Sequence, residues 1–263
     1  MKKISIILFL AIVLTSCSKV MITGRKQLLI VPNSEVLAMS AVSYKQFIDS
    51  MPPSKDMANT QLIKKVGRNI SSAVERFLTE NGQSADIANY QWEFNLVIDS
   101  VVNAFCMPGG KVVFFEGILP ITQNEAGIAV VMGHEVAHAV AKHSNERLSQ
   151  QMITQFGAGL TEVLLTNQSA ATQQTINILY GIGANVGVML PYSRKHEYEA
   201  DHLGLIFMAM AGYDPTVAVG FWERMSTNGN AAAPEMLSTH PSDVNRIKKL
   251  QEILPEALTY YKK

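Results

Sequence analysis

The chain has only two cysteines in 263 residues, Cys17 and Cys106, too few for a disulfide framework. It has no excess charge of either sign: 22 basic side chains balance 22 acidic ones, so its electrostatics give no reason to expect nucleic acid as a partner. It also lacks a clean apolar run of the ~20 residues that a membrane-spanning helix needs. Internal repeats are missing, and no linker is long enough to split the chain, so one domain with at most an appended subdomain is expected. What is present is apolar: 48% hydrophobic against 17% charged residues describes a globular core rather than a disordered chain.

An apolar run of eleven residues, 4–14, follows Lys2 and Lys3 and has the length of a signal-peptide core. It ends in Leu14-Thr15-Ser16-Cys17, which resembles the lipobox of bacterial lipoproteins. The resemblance implies cleavage before Cys17 and acylation of its thiol and new amine. Several acyl chains anchor stably where one is marginal. Loss of 1–16 removes Lys2 and Lys3 and leaves 20 basic against 22 acidic side chains. Cys106 would then be the one thiol left, with no partner for an internal disulfide even in an oxidising compartment. Ser18 after the cysteine implies, by the same resemblance, the outer membrane facing the periplasm.

Residues 17–32 read as a lipidated tether and 33–263 as the folded part. A helix is expected from Asn33 or Ser34, with Leu37, Ala41, Tyr44 and Ile48 on one face, broken by Pro52-Pro53. A second, over 56–79, carries the stripe Leu62, Val66, Ile70, Ala73 and Phe77 and ends at Asn81-Gly82. Tyr90, Trp92, Phe94, Leu96 and Ile98 alternate as in a strand. Strands at 101–106 and 111–115 around the turn 107–110 complete a small antiparallel sheet. Apolar patterns within 148–190 predict a helical hairpin over the site, with membrane contact as the alternative. Helices at 194–211 and 215–225 follow, then a loop at 228–234, and a last helix carrying Val244, Ile247, Leu250 and Ile253.

The densest chemistry lies at Gly133-His134-Glu135-Val136-Ala137-His138. On a helix, residues four apart share a face, so His134 and His138 can aim at one point. Glu135 is poorly placed to ligate but can reach a water there. Zinc uses this arrangement: two imidazoles, a third protein ligand and an open position. With six histidines in the chain, the pattern arises by chance about once in a hundred such sequences. Thr122 and Glu125 form a capping-box signature that would start this helix at Gln123. The third ligand is sought in 195–202. Glu197 and Asp201 share a helix face, which suits a ligand and a carboxylate that orients a ligating histidine. His196 and His202 compete with Glu197, while Glu199 points away and suits a solvated helix start. His143, five residues past His138, falls off the ligand face and reads as structural.

Four motifs in order, the His134–His138 element, Glu197-x-Glu199-Ala200-Asp201, His240-Pro241 with Arg246, and Asn103-Ala104-Phe105 before Pro108-Gly109-Gly110, make the chain similar to a known family. It resembles the zinc metallopeptidases that include the CAAX prenyl proteases, the HtpX-type proteases, the mitochondrial inner-membrane stress protease and the bacterial envelope proteases LoiP and BepA. The lipobox and Thr23-Gly24-Arg25 bring it nearest the envelope members. The resemblance implies a mainly helical α+β fold with a gluzincin-like core. It also implies one Zn2+ per chain on His134, His138 and Glu197, with Asp201 behind them and Glu135 as general base. His240 and Arg246 would serve the oxyanion, and His240 could instead occupy the open position and hold the enzyme latent. Asn103, Ala104 and Phe105 would receive substrate as an added strand. Cys106 departs from the expected small or aliphatic residue and would lie near enough to the cleft to be oxidised. The expected substrates are unfolded or misassembled envelope proteins, with outer-membrane assembly machinery or a second copy of the chain as possible partners. A competing reading is a chaperone-like zinc lipoprotein that holds clients during outer-membrane assembly. A third is a metal-free structural lipoprotein.

Overall fold

The computed structural model describes residues 17–158, 194–227, 236, 240 and 244–262. The expected signal segment 1–16, most of the hairpin sought at 148–190, and the loop at 228–234 lie outside the described residues. Strands β1 (Cys17–Lys19) and β2 (Lys26–Leu28) form an antiparallel hairpin. Helices α1 (Asn33–Ser50) and α2 (Met57–Glu80) follow, then a 3-10 turn (Ser84–Asn89) and strands β3 (Glu93–Val97), β4 (Ala104–Met107) and β5 (Lys111–Phe115). A second 3-10 turn (Glu116–Ile118) and the short α3 (Leu119–Thr122) lead to α4 (Glu125–Val140) and α5 (His143–Ala158). The remaining elements are α6 (Arg194–Met210), α7 (Val217–Thr227) and α8 (Val244–Tyr260). No described helix is long and apolar enough to cross a membrane.

The expected stripe on α2 is buried from Val66 to Phe77, and Asp56 caps the helix by accepting a hydrogen bond from Asn59 N. On α1 the buried face is Val36, Ser40, Ser43, Tyr44 and Phe47, so only Tyr44 of the expected face is inside. This face combines the apolar Val36 and Phe47 with polar contacts. Ser40 Oγ donates to Pro108 O at 2.7 Å, and Tyr44 Oη bonds Glu93 at 3.0 Å. A hydrophobicity pattern cannot score such serines.

The three-stranded sheet has the order β3-β5-β4. β4 and β5 pair antiparallel, but β3 and β5 pair parallel, which corrects the wholly antiparallel sheet. The hairpin turn needs two left-handed residues, supplied by Gly109 (φ 89°) and Gly110 (φ 83°). Central β5 is buried along its whole length.

The start of α4 also differs. Thr122 ends α3, Gln123 takes φ 63°, and Asn124 is the cap, accepting from Gly127 N at 3.0 Å. From Gly127 to Val140 every residue of α4 is buried, because the helix is apolar apart from His134, Glu135 and His138 and runs through the core. It crosses α6 where Gly133 meets Gly204. A Cβ on Gly204 would lie 2.9 Å from Gly133 C and His134 N, and one on Gly133 would lie 2.7 Å from Gly204 O. Gly204→Ala should therefore force the two helices apart, costing about 1–3 kcal/mol. The check is the thermal midpoint, expected to fall, with metal uptake falling too.

Candidate metal centre

Helix α4 carries His134 and His138 one turn apart, with their Nε2 atoms 3.1 Å apart. The first turn of α6 brings Glu197 against both, 3.5 Å from each Nε2. His240, just before α8, closes the group: its Nδ1 is 3.2 Å from His134 Nε2 and 3.1 Å from Glu197 Oε1. All four residues are buried, and the donor atoms they offer lie within 4.8 Å of one another. The set fits a metal ion. Ligand bonds of ~2.0–2.1 Å in a tetrahedron place donors about 3.3 Å apart, which these separations match. Three imidazoles and a carboxylate are also a donor set that suits zinc.

The ligands differ in charge preference. Burial lowers His134, but its hydrogen bonds with Asp201 and Glu197 outweigh burial and raise it above its ordinary value, so in the absence of a metal its ring favours the charged form. Burial drives His138 well below its ordinary value, so it is a neutral imidazole ready to ligate. Burial pushes the Glu197 carboxyl up, but the charges of His240 and Arg246 and hydrogen bonds outweigh it and hold Glu197 ionised, well below its ordinary value. Glu135 behaves oppositely. Burial raises it to about 7, with His240 and Arg246 pulling down and Glu197 pushing further up. Its Oε1 is buried without a hydrogen-bond partner among the described residues, 3.6 Å from His240 Nε2.

Each α4 histidine is held from behind. Asp201 Oδ1 lies 2.9 Å from His134 Nδ1. A carboxylate only accepts, so Nδ1 carries the proton and Nε2 turns a lone pair to the centre. Arg246 then grips Asp201 through Nε (2.7 Å) and Nη2 (2.8 Å), reaches Glu197 through Nη1 (3.0 Å), and stacks on Trp222 at 3.7 Å. Arg246 was expected as an oxyanion donor. Only 1% exposed, its guanidinium is directed at carboxylates, where it compensates buried charge.

Behind His138 stands His143, with 2.8 Å between their Nδ1 atoms. Its Nε2 is 3.2 Å from Glu199 Oε2. Glu199, expected in solvent, is 4% exposed and accepts from Thr23 Oγ1 and from Arg25 Nε at 2.8 Å. Arg25 also forks onto both oxygens of Glu146 at 2.7 Å, and Glu146 meets His196 Nε2 at 3.0 Å. Burial raises both carboxyls, but hydrogen bonds from Arg25 and a histidine each bring Glu146 and Glu199 down to about 2. His143 is lowered to about 4 by burial, despite its bond to Glu199. Residues 17–28, expected as part of a tether, thus form a hairpin bonded into the fold. Of the competing ligands, His196 faces Glu146 and His202 faces Glu256.

His143 could not be placed by helical spacing because the helix does not continue. α4 ends at Val140, Lys142 takes φ 58°, and α5 starts in a new direction that returns His143 to His138. The signal available for Arg25 and Glu199 was their presence in motifs, without a partner for either. Asn103 is buried, with Oδ1 accepting from Ala104 N at 2.9 Å. Ala104 and Phe105 lie on β4, the outer strand next to α4. Cys106 is buried, and burial with the charge of Glu135 pushes its thiol well up, so the thiol expected to be oxidisable near the cleft is a protonated core residue.

Two outcomes follow from these charges. Arg246→Met should leave Asp201 and Glu197 buried without their cation and cost about 3–5 kcal/mol, read by denaturant unfolding of the metal-free protein. Glu146 and Glu199 titrate at about 2 against an ordinary 4.5. Their contribution is complete above 4.5 and fades as pH falls towards 2. Unfolding midpoints from pH 7 to 3 should show Arg25→Ala costing most near neutrality and progressively less in acid.

Known proteins are similar to this chain in sequence. The sequence pattern of peptidase family M48 matches residues 65–254. The mitochondrial metalloendopeptidase OMA1 of Schizosaccharomyces pombe is 40% identical over 192 residues, covering 72% of this chain and 53% of the relative. The human metalloendopeptidase OMA1 is 28% identical over 263 residues, covering 96% and 48%. The beta-barrel assembly-enhancing protease of Escherichia coli K12 is 28% identical over 211 residues, covering 77% and 40%. The chain spans about half the length of these relatives or less. With the match running from α2 into α8 through every element that builds the centre, the chain belongs to peptidase family M48.

Proposed function

We propose that the protein is a zinc-dependent endopeptidase of the bacterial cell envelope. It would be anchored through lipidated Cys17 to the outer membrane, facing the periplasm, and act on unfolded or misassembled envelope proteins. The observation that carries the peptidase reading is the buried Glu135 Oε1, without a hydrogen-bond partner among the described residues, beside a four-donor centre that fits a metal. The names of the relatives, metalloendopeptidase and beta-barrel assembly-enhancing protease, support the reaction.

His134, His138 and Glu197 would hold the ion. Zinc held there would supply a Lewis acid to acidify water and polarise a peptide carbonyl. Glu135 Oε1 accepts the proton of the attacking water and later passes it to the departing amide nitrogen. Its elevated affinity for a proton suits both halves of that task. Asp201 keeps His134 in the ligating tautomer, and Arg246 keeps Asp201 and Glu197 in place. The outer edge of β4, with Ala104 and Phe105, offers backbone groups for an extended substrate. Such binding reads main chain more than side chains and suits unfolded clients.

A second reading is carried by His240. Its Nδ1 lies among the donors, where it would compete with water for the open position and hold the enzyme latent. A protein locked in that state would act as a chaperone-like zinc lipoprotein holding clients during assembly. The test is cleavage of unfolded casein by the full chain, with zinc quantified in the same sample. Wild type should hold one zinc per chain, and Glu135→Gln should keep the zinc while kcat falls about 10²–10⁴-fold. His240→Ala should accelerate cleavage. Zinc retained with no cleavage by wild type or His240→Ala would favour the holding role, and absence of zinc from wild type would overturn the site.

A further inference from the structure

The reading above gives roles to His134, His138, Glu197, Asp201, Arg246 and Glu135. It leaves unexplained a second polar cluster, Thr23, Arg25, Glu146, His143, His196 and Glu199. All of them except Thr23 and Arg25 are buried. Burying so many polar groups is costly unless each is paired, and the pairings here run in one direction, towards His138.

The proton positions follow from the acceptors. Glu199 Oε2, a carboxylate oxygen, faces His143 Nε2, so Nε2 is the atom of His143 that bears hydrogen. In a neutral ring the other nitrogen, Nδ1, is then an acceptor. It faces His138 Nδ1 at 2.8 Å, which must therefore be the donor. With hydrogen on Nδ1, His138 turns the lone pair of Nε2 to the point it shares with His134 and Glu197. Reversal of either imidazole would set two hydrogens, or two lone pairs, against each other along this line. What keeps Glu199 an acceptor, and keeps it aimed, is the hairpin: Arg25 donates to Oε2 and Thr23 to Oε1. Arg25 is itself fixed by its fork onto Glu146.

We propose that Arg25 is a positioning residue for the metal centre: through Glu199 and His143 it sets the tautomer and orientation of His138, making the hairpin of β1 and β2 part of the site. The relay is the counterpart of Arg246–Asp201–His134, with one more ring interposed. The two arginines enter from opposite ends of the chain, and each orients one histidine of α4. Removing such an outer partner typically weakens metal binding 10–100-fold without touching a ligand.

This inference rests on the proposed metal reading, and its test separates the two. The full chain, purified in detergent, is compared as wild type, Arg25→Ala, Arg25→Lys, Glu199→Ala, the Arg25→Ala/Glu199→Ala double variant, and Val20→Ala. Val20 is a buried hairpin side chain in the main core, so its truncation loosens the hairpin's packing and leaves Arg25 present. Two quantities are read: the zinc dissociation constant, by competition with a chromophoric chelator, and the His138 tautomer in metal-free protein, by 15N spectroscopy of labelled imidazoles. Arg25→Ala should weaken zinc about 10–100-fold and erode the Nδ1–H form of His138. The double variant should be no weaker than Glu199→Ala by more than about twofold, since both act in one line. Arg25→Lys, which keeps charge but not the fork, should lose several-fold, and it decides the matter if Arg25→Ala does not fold. Val20→Ala should lower the thermal midpoint and leave both readouts unchanged. Zinc affinity and tautomer unmoved in Arg25→Ala and Arg25→Lys would overturn the proposal, as would an equal loss in Val20→Ala. If wild type took up no zinc, the metal reading would fall, and the His138 tautomer alone would decide the relay.

Discussion

The structure depends on the contact between two helices at glycines. Gly133 on α4 and Gly204 on α6 meet backbone to backbone, at a separation that leaves no room for a Cβ on either side. That crossing sets the two histidines of α4 opposite the first turns of α6. A side chain at either position would move the histidines and the carboxylates apart together. The chemistry of the site is therefore set by packing before any charge is considered.

The second constraint is electrostatic. The first two turns of α6 put Glu197, Glu199 and Asp201 into the interior, where an uncompensated carboxylate is expensive. Each is compensated, Glu197 and Asp201 by shared partners and Glu199 by its own. Glu197 meets the α4 histidines, His240 and Arg246; Asp201 meets His134 and Arg246; Glu199 meets His143, Thr23 and Arg25. The pairing sorts three similar residues into different tasks and fixes both imidazoles with Nε2 towards the shared centre. Glu135 is the exception. Among the described residues its Oε1 has no hydrogen bond, and its carboxyl is pushed up to about 7 by burial, a poise that suits proton transfer near neutral pH.

Much of this was legible in the chain as written. The i, i+4 spacing of His134 and His138 survives any tertiary arrangement that keeps α4 helical, and the 56–79 stripe predicted the buried face of α2 because apolar side chains dominate it. Where polar groups decide, the pattern misleads. α1 is turned by about one residue, bringing Ser40 inside beside Val36 and Phe47, with Ser40 Oγ bonded to Pro108 O. Glu199 looked like a solvated residue because its cation lies 174 positions away. Cys106 looked reactive because its distance from the cleft was judged without the burial that keeps it protonated.

By itself, the sequence determined the local geometry: which residues share a helix face, where glycines allow left-handed turns, and that two imidazoles and a nearby carboxylate could meet one ion. Only the tertiary structure decided which acidic residue of α6 faces which histidine, that His143 returns to support His138 after the chain reverses at Lys142, and that Arg246 serves buried carboxylates. The physical reason is range. Helical periodicity is fixed by hydrogen bonds four residues apart. The compensation of buried charge is instead fixed by whichever groups the packing of distant segments brings into the same dry space.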